Sequence, residues 1–177
     1  MSNHKPEGNP GPGRIGSGMV VAAWILGLAL LTMLFSDYLG GQRNPNREIA
    51  SRQTQDFVEI VLQQNRGNHY VASADINGIP VEVLLDTGAS SVSIPAHLAD
   101  DMGLERQAPM QVVTANGTVS VYATYVDEIR IGDIVLHNIR ATINPHMRED
   151  FVLLGMSFLK HLEFNQRGGQ LVLRQQK

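Results

Sequence analysis

Asp86-Thr87-Gly88-Ala89 follows the apolar run Val83-Leu84-Leu85 and leads into Ser90-Ser91-Val92-Ser93-Ile94. A β-branched and apolar run that ends in an acid and bends at glycine reads as a buried strand delivering one carboxylate onto a tight turn. Gly88 lets the backbone come close to that carboxylate. An acid held there by backbone N–H groups stays ionised, whereas two such acids brought side by side share one proton because both cannot ionise together. A pair of this kind divides the work of hydrolysis: one group activates water while the other protonates the carbonyl oxygen. Asp-Thr-Gly occurs once in the chain, and average residue usage predicts only about 0.03 chance occurrences at this length. The alternative is an ordinary turn in which Asp86 caps backbone groups.

The elements that would position this acid are short strands separated by turn signals. Val58–Leu62 and His69–Ala72 flank Asn65-Arg66-Gly67-Asn68, which reads as a hairpin. Ile76-Asn77-Gly78-Ile79 marks a second hairpin that feeds the Asp86 strand. Pro95 suits the first turn of a helix over Ala96–Met102, and Gly103 its end. Met110–Thr114 and Thr118–Tyr125 embrace Asn116-Gly117, read as a type I′ turn with both residues at its centre. Ile129–Ile131 and Ile134–Leu136 surround Gly132-Asp133. Val152-Leu153-Leu154 runs into Gly155 and a helix over Met156–His161, and Leu162–Phe164 pairs with Leu171–Leu173 across Arg167-Gly168-Gly169. Seven or more short strands with few helices predict a mainly β barrel or sandwich.

From Ile15 to Ser36 there is no charged residue. As a helix these residues would be about 33 Å long, enough to cross a bilayer. The span reads as a retained signal anchor, because Phe35-Ser36-Asp37-Tyr38-Leu39-Gly40 makes a poor cleavage site. Lys5 and Arg14 precede it while Arg43, Arg47 and Arg52 follow, so charge does not settle its orientation. The predicted organisation is a disordered tail over 1–14, the anchor over 15–36, a linker over 37–56 and one folded domain over 57–177. With no cysteine, the chain has no disulfide, thiol nucleophile or cysteine metal site. Beyond residue 68 there are eight Lys/Arg against twelve Asp/Glu and no basic run, which argues against nucleic acid as a partner. His69, His97, His137, His146 and His161 lack ligand spacing, so neither metal nor cofactor is expected. Ser157-Phe158-Leu159-Lys160 fits Ser-x-x-Lys without a supporting partner motif, the Asp100-Asp101 pair reads as a solvated helix end, and Met147, Met156 and Phe158 read as core.

Asp86-Thr87-Gly88-Ala89, the glycine-tipped hairpin and Leu153-Leu154-Gly155 before a short helix resemble the retropepsins. Ile76-Asn77-Gly78, Thr114-Ala115-Asn116-Gly117 and Leu154-Gly155-Met156-Ser157-Phe158-Leu159, behind one N-terminal anchor, resemble the membrane-anchored bacterial retropepsin-like aspartic proteases of clan AA over roughly residues 58–174. The resemblance implies a closed β barrel with a glycine-tipped flap and a short C-terminal helix. It implies Asp86 as the catalytic acid, Thr87 as the residue whose hydroxyl locks two active-site loops together, and Gly88 and Ala89 as a wall that hydrogen-bonds the substrate backbone beside Ser90. Ala115, Asn116 and Gly117 would form the flap tip over a polypeptide substrate, and Leu154 and Gly155 would pack beneath the catalytic loop. It also implies a domain on the periplasmic side of a bacterial inner membrane, acting on membrane or envelope proteins. Retroviral enzymes usually carry an acid after Asp-Thr-Gly-Ala that pairs with an arginine after the later glycine; here those positions are Ser90 and Met156.

A single Asp-Thr-Gly demands a second acid. The physical solution is a two-fold homodimer in which each subunit contributes Asp86. The rival reading is a membrane-tethered module of the same fold that binds peptides without cutting them.

Overall fold

The structure is a computed structural model describing residues 16–114 and 117–177. The tail expected over 1–14, Ile15 of the expected span, and Ala115 and Asn116 of the expected flap tip lie outside the described residues. The chain divides into two units, Met1–Leu39 and Gly40–Lys177. Helix α1, Ser17–Arg43, supplies the first and runs into the second. Its 27 residues would rise about 40 Å, and its large apolar side chains from Met19 to Phe35 are exposed. It is long and apolar enough to cross a bilayer.

The second unit contains eleven strands and two short helices. They are β1 Ser51–Gln53, β2 Phe57–Gln63, β3 Tyr70–Ile76, β4 Ile79–Leu85, β5 Val92–Pro95, α2 Ala96–Asp101, β6 Pro109–Thr114, β7 Gly117–Ile131, β8 Ile134–Asn144, β9 Phe151–Leu154, α3 Met156–Leu159, β10 Glu163–Arg167 and β11 Gln170–Gln176. Seven of the strands pair in the order β3-β4-β9-β5-β8-β7-β6, and a further pairing of Asp75 and Ile76 with Arg130 and Ile129 joins β3 back to β7. Six strands therefore close into a barrel, and β6 extends from it as a free edge. The remaining four form an antiparallel sheet in the order β1-β2-β11-β10.

Alternation builds the core. Val58, Ile60 and Leu62 of β2 and Leu171 and Leu173 of β11 point inward at period two. They join Ile76, Val83, Ile94, Val126, Ile129, Ile143, Val152, Leu154 and Phe158 in one apolar cluster. The expected glycine turns form where both central residues must adopt positive φ: Asn77 and Gly78 stand at 51° and 79°, Gly168 and Gly169 at 58° and 77°. Helix α2 starts after Pro95, and Gly103, at φ 68°, follows its end.

The hairpin predicted at Asn65–Asn68 does not form as a paired one. Its strands enter different sheets, β2 against β1 and β11, β3 against β4. Asn46 occupies the place where the ladder would run. Its Nδ2 donates to the carbonyls of Gln63 (2.9 Å) and Val71 (2.7 Å), and its Oδ1 accepts from the Gln63 N–H at 2.7 Å. The Ser73 N–H donates to the Asn46 carbonyl at 3.1 Å, and Asn44 Oδ1 receives the Asn46 N–H at 3.0 Å. Asn44 reaches on to Ser73 and Glu82 through its Nδ2. Within residues 37–56, read from sequence as a linker, Asn44 and Asn46 are thus buried parts of the folded unit.

Asn46→Ala strands three backbone groups between β2 and β3. It is expected to destabilise the unit by about 2–4 kcal/mol, whereas Gln53→Ala, at an exposed position of β1, stays within about 0.5 kcal/mol. Denaturant melts of the full chain in detergent check both.

Candidate active site

Asp86 leaves the end of β4 and sits over the end of β9. That strand lies between β4, parallel to it with Leu84 opposite Leu153 and Leu85 opposite Leu154, and β5, antiparallel to it at Ser93. The loop joining β4 to β5 therefore has to pass across the tip of β9. Three backbone hydrogen bonds hold it there and a fourth closes the loop on itself. The Asp86 N–H donates to the Leu154 carbonyl at 3.0 Å, the Ala89 N–H to the Asp86 carbonyl at 3.2 Å, the Met156 N–H to the Ala89 carbonyl at 2.7 Å and the Ser157 N–H to the Ser90 carbonyl at 3.1 Å. The crossing is close: a Cβ on Gly155 would lie 2.5 Å from the carbonyl oxygens of both Ala89 and Ser91. Only glycine fits between these carbonyls. Leu154 and Gly155 are buried.

The carboxylate itself faces solvent. Gly88 donates its N–H to Asp86 Oδ1 at 2.8 Å, and among the described residues the other carboxylate oxygen takes no hydrogen bond. Asp86, Thr87, Gly88 and Ser90 are exposed and Ala89 is half-buried. Asp86 is thus an oriented acid with one free oxygen on an open surface.

Facing the loop across a cleft of about 430 Å³ is β6, whose Val112, Val113 and Thr114 line it with Asp86, Gly88 and Ala89. Thr114 lies opposite Gly117 in the β6–β7 register, and its hydroxyl donates to the Gly117 carbonyl at 2.8 Å. Gly117 therefore does not stand at the centre of a turn with Asn116, as the sequence predicts, but faces Thr114 as a strand residue. Gly117 is the first residue of β7, and its φ of 111° keeps it at a position that favours glycine. Periodicity missed Leu153 and Met147, which also line this cleft. Met147, expected in the core, is a half-buried wall of this cleft instead, Met156 is half-buried and packs against the core cluster, and Phe158 is fully buried as expected.

No second acid lines this cleft among the described residues. Asp150 precedes β9, whose far end meets the Asp86 loop; the four strand residues between them make five steps, roughly 17 Å. It contacts His97 at 3.1 Å instead. Asp100 pairs with Arg106 at 3.0 Å on the surface. Ser157 of the Ser-x-x-Lys match is a brace: its hydroxyl donates to the Arg140 carbonyl at 2.8 Å and accepts the Val92 N–H at 2.9 Å. That ties α3 to β8 and to the strand leaving the Asp86 loop.

Residues 72–161, which span the Asp86 loop, the flap hairpin and Gly155, match the family described as "gag-polyprotein putative aspartyl protease". An uncharacterised protein from the cobV 5′ region of a Sinorhizobium species is 35% identical over 134 residues, 73% of this chain. The chain spans 58% of that relative's length. A retropepsin-like aspartic protease from Rickettsia conorii superposes with a TM-score of 0.58 at 24% identity, covering 73% of this chain and 96% of that one, so the two share a fold.

Gly155→Ala drives a methyl group into two backbone carbonyls that cannot swing away as a side chain would. It is expected to cost 3 kcal/mol or more, the upper end of about 1–3 kcal/mol for overpacking. Hydrogen exchange is then expected to quicken at the Asp86, Met156 and Ser157 amides ahead of the barrel strands. Exchange followed by mass spectrometry checks this.

Proposed function

The chain belongs to the gag-polyprotein aspartyl protease family, and on that premise we propose that it is an aspartic endopeptidase whose active site is completed by a second copy of itself. One observation carries the reading: among the described residues, Asp86 stands exposed with one free oxygen in a cleft lined by no other acid. An acid pair then requires Asp86 from two subunits meeting on a two-fold axis.

Water held between the two carboxylates is activated by the ionised one while the protonated one donates to the scissile carbonyl oxygen. The pair titrates as a unit, and neither apparent pKa belongs to one subunit. Gly88 and Ala89, with Ser90 beside them, line the wall against which substrate backbone lies. The free edge of β6 supplies a strand for an extended peptide to pair with, and the tip at Ala115, Asn116 and Gly117 closes over it. Thr87 is exposed on the same surface and contacts its counterpart loop in the dimer. Strand β10 supports the placing of the second copy there. It is the outer strand of its sheet, every residue of it is exposed, and its Phe164 borders a hollow of about 260 Å³ with Asp86 and Thr87.

Helix α1 anchors the enzyme in the bacterial inner membrane, with the catalytic unit on the periplasmic side and membrane or envelope proteins as substrates. A topology reporter fused after Lys177 tests that orientation; activity confined to the cytoplasm overturns it.

Asp86→Asn keeps the acceptor oxygen for the Gly88 N–H, so the fold is expected to survive. Peptide cleavage is expected to fall by about 10³-fold or more. Mixing wild-type and Asp86→Asn chains under free subunit exchange is expected to give activity proportional to the square of the wild-type fraction. A linear curve rules out the shared acid pair, and undiminished cleavage by folded Asp86→Asn rules out the protease.

A further inference from the structure

A second cavity, of about 550 Å³, continues from the cleft beside Asp86, with which it shares Ser90, Ser91 and Val112. It runs back along β6 towards Met110 and ends against β7, β8 and α3. Its charge sets it apart. Arg140 and Lys160 line it, no carboxylate does, and neither cation has an ion-pair partner among the described residues. The part of the chain beyond residue 68 is net acidic, so two unpaired cations at one cavity run against the surrounding charge.

Ser90 and Met156 bring no charge to the cavity. They occupy the two positions where the retroviral pattern places an acid and an arginine that pair, and both line this cavity. Such a pair would bring no net charge either, so the cationic character rests on Arg140 and Lys160. Met156 and Tyr125 add an apolar wall on which the methylenes of a side chain can pack.

Resting on the endopeptidase reading, we infer that this cavity is a specificity subsite for an acidic side chain, glutamate or aspartate, of an extended peptide substrate. Met110 and Val112 lie on one face of β6, two residues and about 7 Å apart. A peptide paired with β6 therefore reaches the subsite about two residues beyond the one seated nearest Asp86. In the two-fold dimer each protomer presents one such cavity, so acidic preferences fall on both sides of the cleaved bond.

The test uses the full chain in detergent and a peptide library built on a neutral cleavable core, each position in turn carrying Glu, Gln or Lys. At the subsite position Glu is expected to exceed Lys in kcat/KM by about tenfold, or about 1.4 kcal/mol. The ratio is expected to shrink between low and high salt as the charges are screened. Arg140→Glu with Lys160→Glu is expected to reverse the preference towards Lys, and Arg140→Met with Lys160→Met to level it; both cation side chains are unpaired, and thermal melts check that the variants fold. Equal rates for all three residues at every position, or a preference that survives in the double-Met variant, overturn the subsite. The same residue set in uncleavable statyl-type peptides, followed by binding, separates this inference from the protease reading. Glu-selective binding that reverses in the double-Glu variant, without any cleavage, keeps the subsite and fails the enzyme. Binding blind to charge, or no binding, overturns the subsite.

Discussion

The close crossing at Gly155 is the contact on which the site depends. A strand that passes between the two halves of a loop-bearing hairpin has to let that loop over its end, and here the backbones meet with no room for a single methyl group. The compression has a return. With no side chain between them, Asp86, Ala89 and Ser90 exchange backbone hydrogen bonds with Leu154, Met156 and Ser157, and the acid inherits the rigidity of the barrel. A group meant to hold a proton at a fixed place needs that kind of support from strands and not from a free loop.

Closure of the barrel distributes the remaining freedom. Joining β3 to β7 removes the edges that six strands would otherwise present, and leaves β6 and β10 as the outer strands of their sheets beside the Asp86 loop. Unpaired strand edges invite another chain. In the proposed enzyme β6 receives the substrate and β10 faces the second copy, so both partnerships converge on the surface where Asp86 is exposed.

What could be read from the residues follows the range of the forces involved. Asn77-Gly78 and Gly168-Gly169 announce their turns because positive φ is a local demand. The Asp86 loop and Gly155 carry distinctive residue types at the places where backbone meets backbone. The Asn65–Asn68 segment misled because its local signals were right for a turn while the ladder bonds were taken by Asn46, 19 positions before Asn65 in the chain. Asn-Gly marks a turn without fixing which residue faces Thr114, and Gly117 takes that place. Hydrophobicity alone puts Met147 in the core, because it does not distinguish a core wall from a cleft wall. The pairing of β3 with β7 joins residues 75 and 130, and nothing local to either announces it.

Ser90 and Met156 cannot form an ion pair, so other contacts must hold the Asp86 loop to α3. An exposed ion pair contributes only about 0–1 kcal/mol, so its loss is small if other bonds span the same gap. They do. The Met156 and Ser157 N–H groups reach the Ala89 and Ser90 carbonyls, and the Ser157 hydroxyl bridges the Val92 N–H to the Arg140 carbonyl. None of these bonds uses the side chain of residue 90 or 156. Once the attachment is carried by backbone and by Ser157, those two side chains are released from holding the loop and become walls of the neighbouring cavity. The charge of that cavity is then set by Arg140 and Lys160, which line it beside them.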